Sequence, residues 1–213
     1  MDGPKRQQRA EATRRHLLAA AHTVFVARGY HGASVAAITD EAATAHGTFY
    51  LYFKNKEDVF SEVMTEMLDE LYRHSFTPLD EIGGQFDPTR IRDRIAAFLG
   101  VFAAEGRLWR ALLEAVLASP AIEREWVAQR ARFTEGVAER LRVYQQHSGL
   151  PVGDASEVAY VLGGMLEWYA FTGVAFDVPR PLAATDEVID LITGTWTRAL
   201  GLGSDPAGPV PAA

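Results

Sequence analysis

Residues 29–60 read GYHGASVAAITDEAATAHGTFYLYFKNKEDVF, and this stretch decides the fold. Ser34 is a good N-cap for a short helix from Val35 to about Ala42. A second short helix covers about Ala45 to Phe53, and Asn55, with Asp58 three residues on, opens a longer one that runs to about His74. The first short helix offers Val35 and Ile38 to a core, and the second offers Phe49 and Phe53. A preceding helix, about Gln8 to Arg28, carries an apolar stripe of Leu17, Leu18, Ala21, Val24 and Phe25, and Gly29 suits its C-terminal stop. Together these make a three-helix head. Its second short helix keeps His46, Gly47, Thr48, Tyr50 and Tyr52 on the outer face. Hydroxyls and a ring nitrogen with few charges suit insertion into a major groove. Ser34 and the free N–H groups behind it can hold one phosphate, and Lys56 another.

Beyond the head the chain remains helical. Residues 75–86, rich in Pro, Gly and Asp, read as a loop. Asp87-Pro88 starts a helix to about Ala104, broken at Gly106, and the next spans about Arg107 to Ala118. Ser119-Pro120 opens a long helix that stops before Gly149. Asp154 and Glu157 cap one from about Ala155 to Val174, and Asp177, Pro179 and Pro181 separate it from the last, about Asp186 to Leu200. Strand-like alternation never persists, and no internal repeat is evident. The expected architecture is all-α with about nine helices: a helix-turn-helix DNA-binding domain over residues 1–54, a ligand-binding and dimerisation bundle over 55–200, and a disordered tail over 201–213.

Composition narrows the function. The chain has no cysteine, which excludes disulfides, thiolate metal sites and thiol redox sensing. A net charge of −7 hides an asymmetry: residues 1–56 carry +4 and the remainder −11, so a polyanion partner suits the head only. The apolar run Val158 to Phe176 has Glu167 at its middle, which is costly in lipid, so it reads as a helix buried on two faces rather than a membrane span. Residues 1–15 lack the pattern of a secretory signal, so a cytoplasmic chain is expected. Motifs for zinc proteases, serine hydrolases, phosphate loops and dinucleotide binding are missing, and the six histidines show no metal-ligand spacing. Neither enzyme activity, metal nor cofactor is expected.

The head resembles the tetracycline-repressor-like (TetR) family of regulators. The resemblance covers roughly residues 14–60 and rests on Leu17, Ala21, Phe25, Gly29-Tyr30, Ser34-Val35, Ile38, Ala42, Gly47-Thr48-Phe49-Tyr50, Tyr52-Phe53 and Lys56-Glu57. It implies phosphate contacts from Thr48, Tyr50 and Lys56, base reading around Thr44, Ala45, His46 and Gly47, and a place for Tyr52 near the groove edge. Two positions depart from the family. Ala43 stands where glycine is usual, which implies a turn that avoids φ > 0 or tolerates it at a cost. Ala45 replaces Ser or Thr, so Thr44 is expected to cap the helix instead. By resemblance the chain is a repressor that binds palindromic operator DNA as a homodimer and is released by a small molecule acting through the fourth helix.

The body offers candidates for both remaining roles. The last two helices are apolar on more than one face, and Val161, Met165, Trp168, Val188, Ile192 and Trp196 are the candidate dimer residues, with Gly163-Gly164 allowing close helix approach. Phe98, Phe102, Trp109, Leu113, Trp126, Phe133 and Trp168, with Glu114 and Glu167 as polar groups, are the candidate effector lining; the alternative is that the apolar side chains simply fill the core and that each glutamate is solvated or paired with an arginine. The competing reading is a helical adaptor that binds protein without binding DNA. Such a module would not need a basic, tyrosine-rich recognition face.

Overall fold

The structure is a computed structural model that describes residues 3–75, 88–148, 153–176 and 183–201. Among them it forms nine helices: α1 (Gly3–Gly32), α2 (Val35–Glu41), α3 (His46–Phe49), α4 (Lys56–Ser75), α5 (Pro88–Ala104), α6 (Gly106–Ala118), α7 (Pro120–Ser148), α8 (Ala155–Ala175) and α9 (Asp186–Ala199). Of the loop expected at 75–86, Ser75 is the last residue of α4 and 76–86 lie outside the described residues, as do the Pro-rich break at 177–181 and all but Gly201 of the tail expected at 201–213.

Local chemistry explains most boundaries. Ser34 Oγ accepts the Ala37 N–H at 3.2 Å, and Asp154 Oδ1 accepts from the Ser156 and Glu157 N–H groups at 2.8 and 3.1 Å. At α4 the box expected from Asn55 and Asp58 forms with a shift. Asn55 Oδ1 accepts the Asp58 N–H at 2.8 Å, while Asp58 Oδ2 reaches back to the Lys54 N–H at 2.9 Å. Three expectations are corrected. α1 begins at Gly3 rather than Gln8, because nothing from Lys5 to Gln7 interrupts a helix and Pro4 is tolerated in a first turn. α3 is regular only over His46–Phe49, and a tighter i→i−3 bond from the Tyr52 N–H and an α-type bond from the Phe53 N–H, both to Phe49 O, carry the chain on to Phe53. Gly106 is not the break before α6 but its first residue. A Cβ there would lie 3.3 Å from Val174 Cβ, so its bareness serves the close approach of α8.

The core is continuous from head to body. Leu17 and Phe25 of α1, Ile38 of α2, Phe49 of α3 and Phe60 of α4 are fully buried, and the same cluster runs on through Leu99, Phe102, Leu108, Trp109 and Leu112 of α5 and α6. α4 joins the two halves because its stripe of Val59, Phe60, Val63, Met64, Met67, Leu68 and Leu71 is long enough to face both. Phe60 meets Phe25 edge-on, with centroids 4.7 Å apart, and Tyr30 at 4.9 Å. Tyr144, Leu162 and Leu200 form a smaller cluster among α7, α8 and the end of α9. Arg92 of α5 ties down α9 through Asp186 at 2.5 Å and Asp190 at 2.7 Å. None of the helices, among the described residues, is long and apolar enough to cross a membrane.

Candidate nucleic-acid interface

α3 is positioned from below. Phe49 and Phe53 are 0% and 2% exposed, with rings 5.4 Å apart, and they root the segment in the head's core. Arg14 of α1 lies over the Phe53 ring at 5.4 Å and pairs with Glu62 of α4. The turn before α3 is held by His16, whose Nε2 donates to Ala42 O at 3.0 Å, and by the Thr44 N–H donating to Thr39 O at 3.0 Å. Helical spacing then leaves Ala45, His46, Gly47 and Tyr50 exposed, with Thr44, Thr48 and Tyr52 half-buried beside them. Tyr50 is 54% exposed, and its ring rests edge-on against His46 at 5.5 Å. A Cβ on Gly47 would meet nothing within 4 Å, so no packing within the chain requires glycine there. Leu51, which the sequence reading passed over, is 78% exposed. The signal was available: two residues past buried Phe49, roughly 200° around a helix, a side chain must face outward.

Both departures at the turn are resolved. Ala43 takes φ +47°, the left-handed region that glycine enters freely and alanine at a cost of about 1–2 kcal/mol. Ala45 is the N-cap of α3 and makes no side-chain cap. The expectation that Thr44 caps in its place is not met: its Oγ1 is buried with no hydrogen-bond partner among the described residues. A capping hydroxyl must sit at the N-cap position itself to reach the free N–H groups, and Thr44 is one residue early. Ala43→Gly should raise stability by about 0.5–1 kcal/mol, since relief of strain outweighs glycine's extra freedom in the unfolded chain. Urea unfolding measures it, and a destabilised variant would show that the turn is not strained.

Lys56 turns inward. Its Nζ donates to the carbonyls of Tyr30 at 2.8 Å and Ala33 at 3.2 Å and lies 4.3 Å from the Tyr30 ring centroid. Burial pushes its pKa down, against the pull of Glu57 and Glu114. The ammonium expected on a phosphate is thus engaged in bracing the segment that leads into α2.

The body's candidates separate into groups. Phe98, Phe102 and Trp109 are buried, and Phe102 and Trp109 stack in parallel with centroids 4.0 Å apart. Leu113, Trp126 and Phe133 are half-buried against that core, with Phe133 stacked on Tyr72 at 4.6 Å. Burial, and then the nearby Glu167, push the Tyr72 phenol up. Three residues stand elsewhere than the lining expected of them. Glu114 Oε2 is occupied by the Tyr30 and His31 N–H groups at the end of α1, and Glu167 holds Arg130 at 2.6 Å. Trp168 is 67% exposed, facing away from the core. Val161 and Met165 share its outward stripe on α8. Ile192 is buried, and Val188 and Trp196 pack against the chain's own core, so of the expected dimer residues only those on α8 are freely presented. A cleft of about 550 Å³ opens between α1, α4 and α5, bounded by His22, Met67, Val101 and Glu105, and none of the expected lining residues borders it.

A helix-turn-helix unit seated on an all-helical body defines the class of protein. Residues 17–63 match the family of bacterial regulatory proteins called tetR. An uncharacterised HTH-type transcriptional regulator of Bacillus subtilis, YdgC, is 43% identical over 54 residues, which is 25% of this chain and 28% of that protein. The chain thus spans about a quarter of that relative's length. The HTH-type transcriptional regulator EthR of Mycolicibacterium smegmatis is 24% identical over 196 residues, covering 90% of this chain and 87% of that one. The crystal structure of a TetR-family regulator from Mesorhizobium loti superposes with a TM-score of 0.75 at 21% identity, covering 91% and 98% of the two chains, and shows the same fold. The head thus carries the tetR-type domain over residues 17–63, and the chain as a whole has the fold of the solved Mesorhizobium loti regulator.

Proposed function

We propose that the chain is a transcriptional repressor that binds a palindromic operator as a homodimer and leaves it when a small molecule enters residues 55–200. The observation that carries this reading is the outer face of α3. Ala45, His46, Gly47, Tyr50 and Leu51 are exposed together on a segment locked from beneath by Phe49 and Phe53. In this reading Ala45, His46 and Gly47 approach base edges, with Thr44 at the border. Thr48, Tyr50 and the cap of α2 at Ser34 take phosphates, and Tyr52 lies at the groove edge. Lys56 serves by holding the α1–α2 connection. Residues 1–54 act as the reading unit, and a chain with this activity works in the cytoplasm.

For the effector the supporting observation is the aromatic interior around Phe98, Phe102, Trp109 and Phe171, in which the Trp109 Nε1–H has no hydrogen-bond partner among the described residues. A buried donor of this kind suits an oxygen-bearing ligand. For the dimer it is the outward α8 stripe.

The test is capture of fragmented source-genome DNA on the purified protein, sequenced and repeated at raised salt. A short palindrome that is enriched and then lost as salt rises supports the reading, because each phosphate contact releases counterions. Tyr50→Ala should weaken binding to that palindrome at least about tenfold, the worth of one phosphate contact and its packing, with helicity unchanged because the ring is over half exposed. Unchanged affinity in a salt-controlled titration would remove Tyr50 from the interface. Binding of other proteins with no salt dependence would point to an adaptor instead.

A further inference from the structure

α1 ends on a break. Gly29 holds φ +68° and ψ −179°, a region essentially reserved to glycine, and the chain then makes one more turn over Tyr30–Gly32 before Ser34 opens α2. Like any helical start, that turn presents N–H groups with no partner of their own. They are met by a side chain from more than eighty residues away: Glu114 Oε2, on α6, accepts the Tyr30 N–H at 2.9 Å and the His31 N–H at 3.3 Å. The fit is close. A Cβ on residue 29 would stand 2.7 Å from the same oxygen, so the carboxylate occupies the room a side chain there would need.

Lys56 answers from the other end of the turn, donating to the Tyr30 and Ala33 carbonyls. A negative group thus sits on the N–H end and a positive group on the carbonyl end, the arrangement that the dipole of the turn favours. Further back, Glu105, the residue before α6, meets His22 Nε2 of α1 at 3.1 Å. Glu105 and Glu114 are nine residues apart, about 13 Å along a helix, so α6 grips α1 at two separated points.

We propose that Glu114 is the positioning residue through which α6 sets the angle of the DNA-reading head. With the carboxylate seated, the Tyr30–Gly32 turn is fixed and α2 and α3 stand ready for the groove. With it withdrawn, the two N–H groups lose their acceptor and the head samples other angles, which lowers apparent affinity by the fraction of time it stands wrongly. This inference rests on the head being a DNA reader.

The experiment uses the full chain, the palindrome recovered from genomic capture, and amide hydrogen exchange. Glu114→Ala should weaken binding about tenfold and speed exchange at Tyr30 and His31 by a similar factor, while amides of α8 keep wild-type rates. Glu114→Gln, which keeps a carbonyl acceptor, should stay within about threefold of wild type. Wild-type affinity with unchanged exchange in Glu114→Ala overturns the proposal, and so does an affinity loss that comes with faster exchange throughout the chain. If the wild-type protein enriches no DNA, the functional reading falls, and exchange at Tyr30 and His31 still decides whether Glu114 holds the turn.

Discussion

Trp109→Ala should cost about 3 kcal/mol of stability and lower the melting temperature by roughly 6–12 °C. Trp109 is 2% exposed, lies parallel to Phe102 at 4.0 Å and meets Phe171 edge-on at 5.8 Å. Truncating a core tryptophan costs about 3–5 kcal/mol through lost transfer energy and the cavity left behind. One term works in the opposite direction. The indole Nε1–H is buried without a partner among the described residues, a burden of about 1–3 kcal/mol that truncation removes, which places the net loss at the low end. Trp109→Phe separates the two contributions in part: it keeps a ring on Phe102 and removes the unpaired donor together with two ring carbons, so relief and lost packing offset and it should fall within about 1 kcal/mol of wild type. Urea unfolding of the three proteins measures all of this. If Trp109→Ala were neutral, the ring would not be a core residue, and the region around Phe102 would be open space rather than packing.

The head was the more legible part, and the reason is local. The buried pair Phe49 and Phe53 and the exposed Tyr50 follow from a few residues of helical spacing, and Ser34, Asn55 and Asp154 announce helix starts within three residues of themselves. The departures at Ala43 and Ala45 could be named from the sequence, but the strain at φ +47° could not, because the alternative turn costs no more on paper. What escaped was long-range. Lys56 reads as a free cation beside the recognition segment, and only the folded chain shows it drawn under Tyr30, twenty-six residues away. Glu114 and Glu167 read either as groups facing a ligand or as solvated or arginine-paired ones. Glu167 takes the second course and holds Arg130, while Glu114 does neither and caps the end of α1. A carboxylate on an apolar face always announces a partner; periodicity does not say whether that partner is a ligand, an arginine or a backbone amide. The extent of α1 escaped for the opposite reason, since a polar run with no breaker gives no signal of where a helix should start.

On the homodimer proposed above, Val161→Glu combined with Trp168→Glu should leave a monomer and weaken operator binding about a hundredfold or more. Val161, Met165 and Trp168 recur at the spacing of one helical face, and they are 63%, 39% and 67% exposed, with Leu191 of α9 at 64%. A soluble chain rarely leaves so large an apolar stripe to water unless something covers it, and a second copy of the same surface is self-complementary across a two-fold axis. Because the two side chains are already mostly outside the core, replacing them should leave helicity and unfolding of the protomer nearly unchanged. DNA binding should respond far more strongly. A palindrome offers two half-sites about 34–36 Å apart, and linking two heads makes the second contact intramolecular, which is worth about 10²–10⁴ in affinity without any new contact. A monomer keeps every residue of α3 and forfeits that factor. Light scattering at micromolar concentration with an operator titration decides it. A double variant that stays dimeric places the interface elsewhere, and a monomer that still binds the palindrome with wild-type affinity shows that the two heads do not act together.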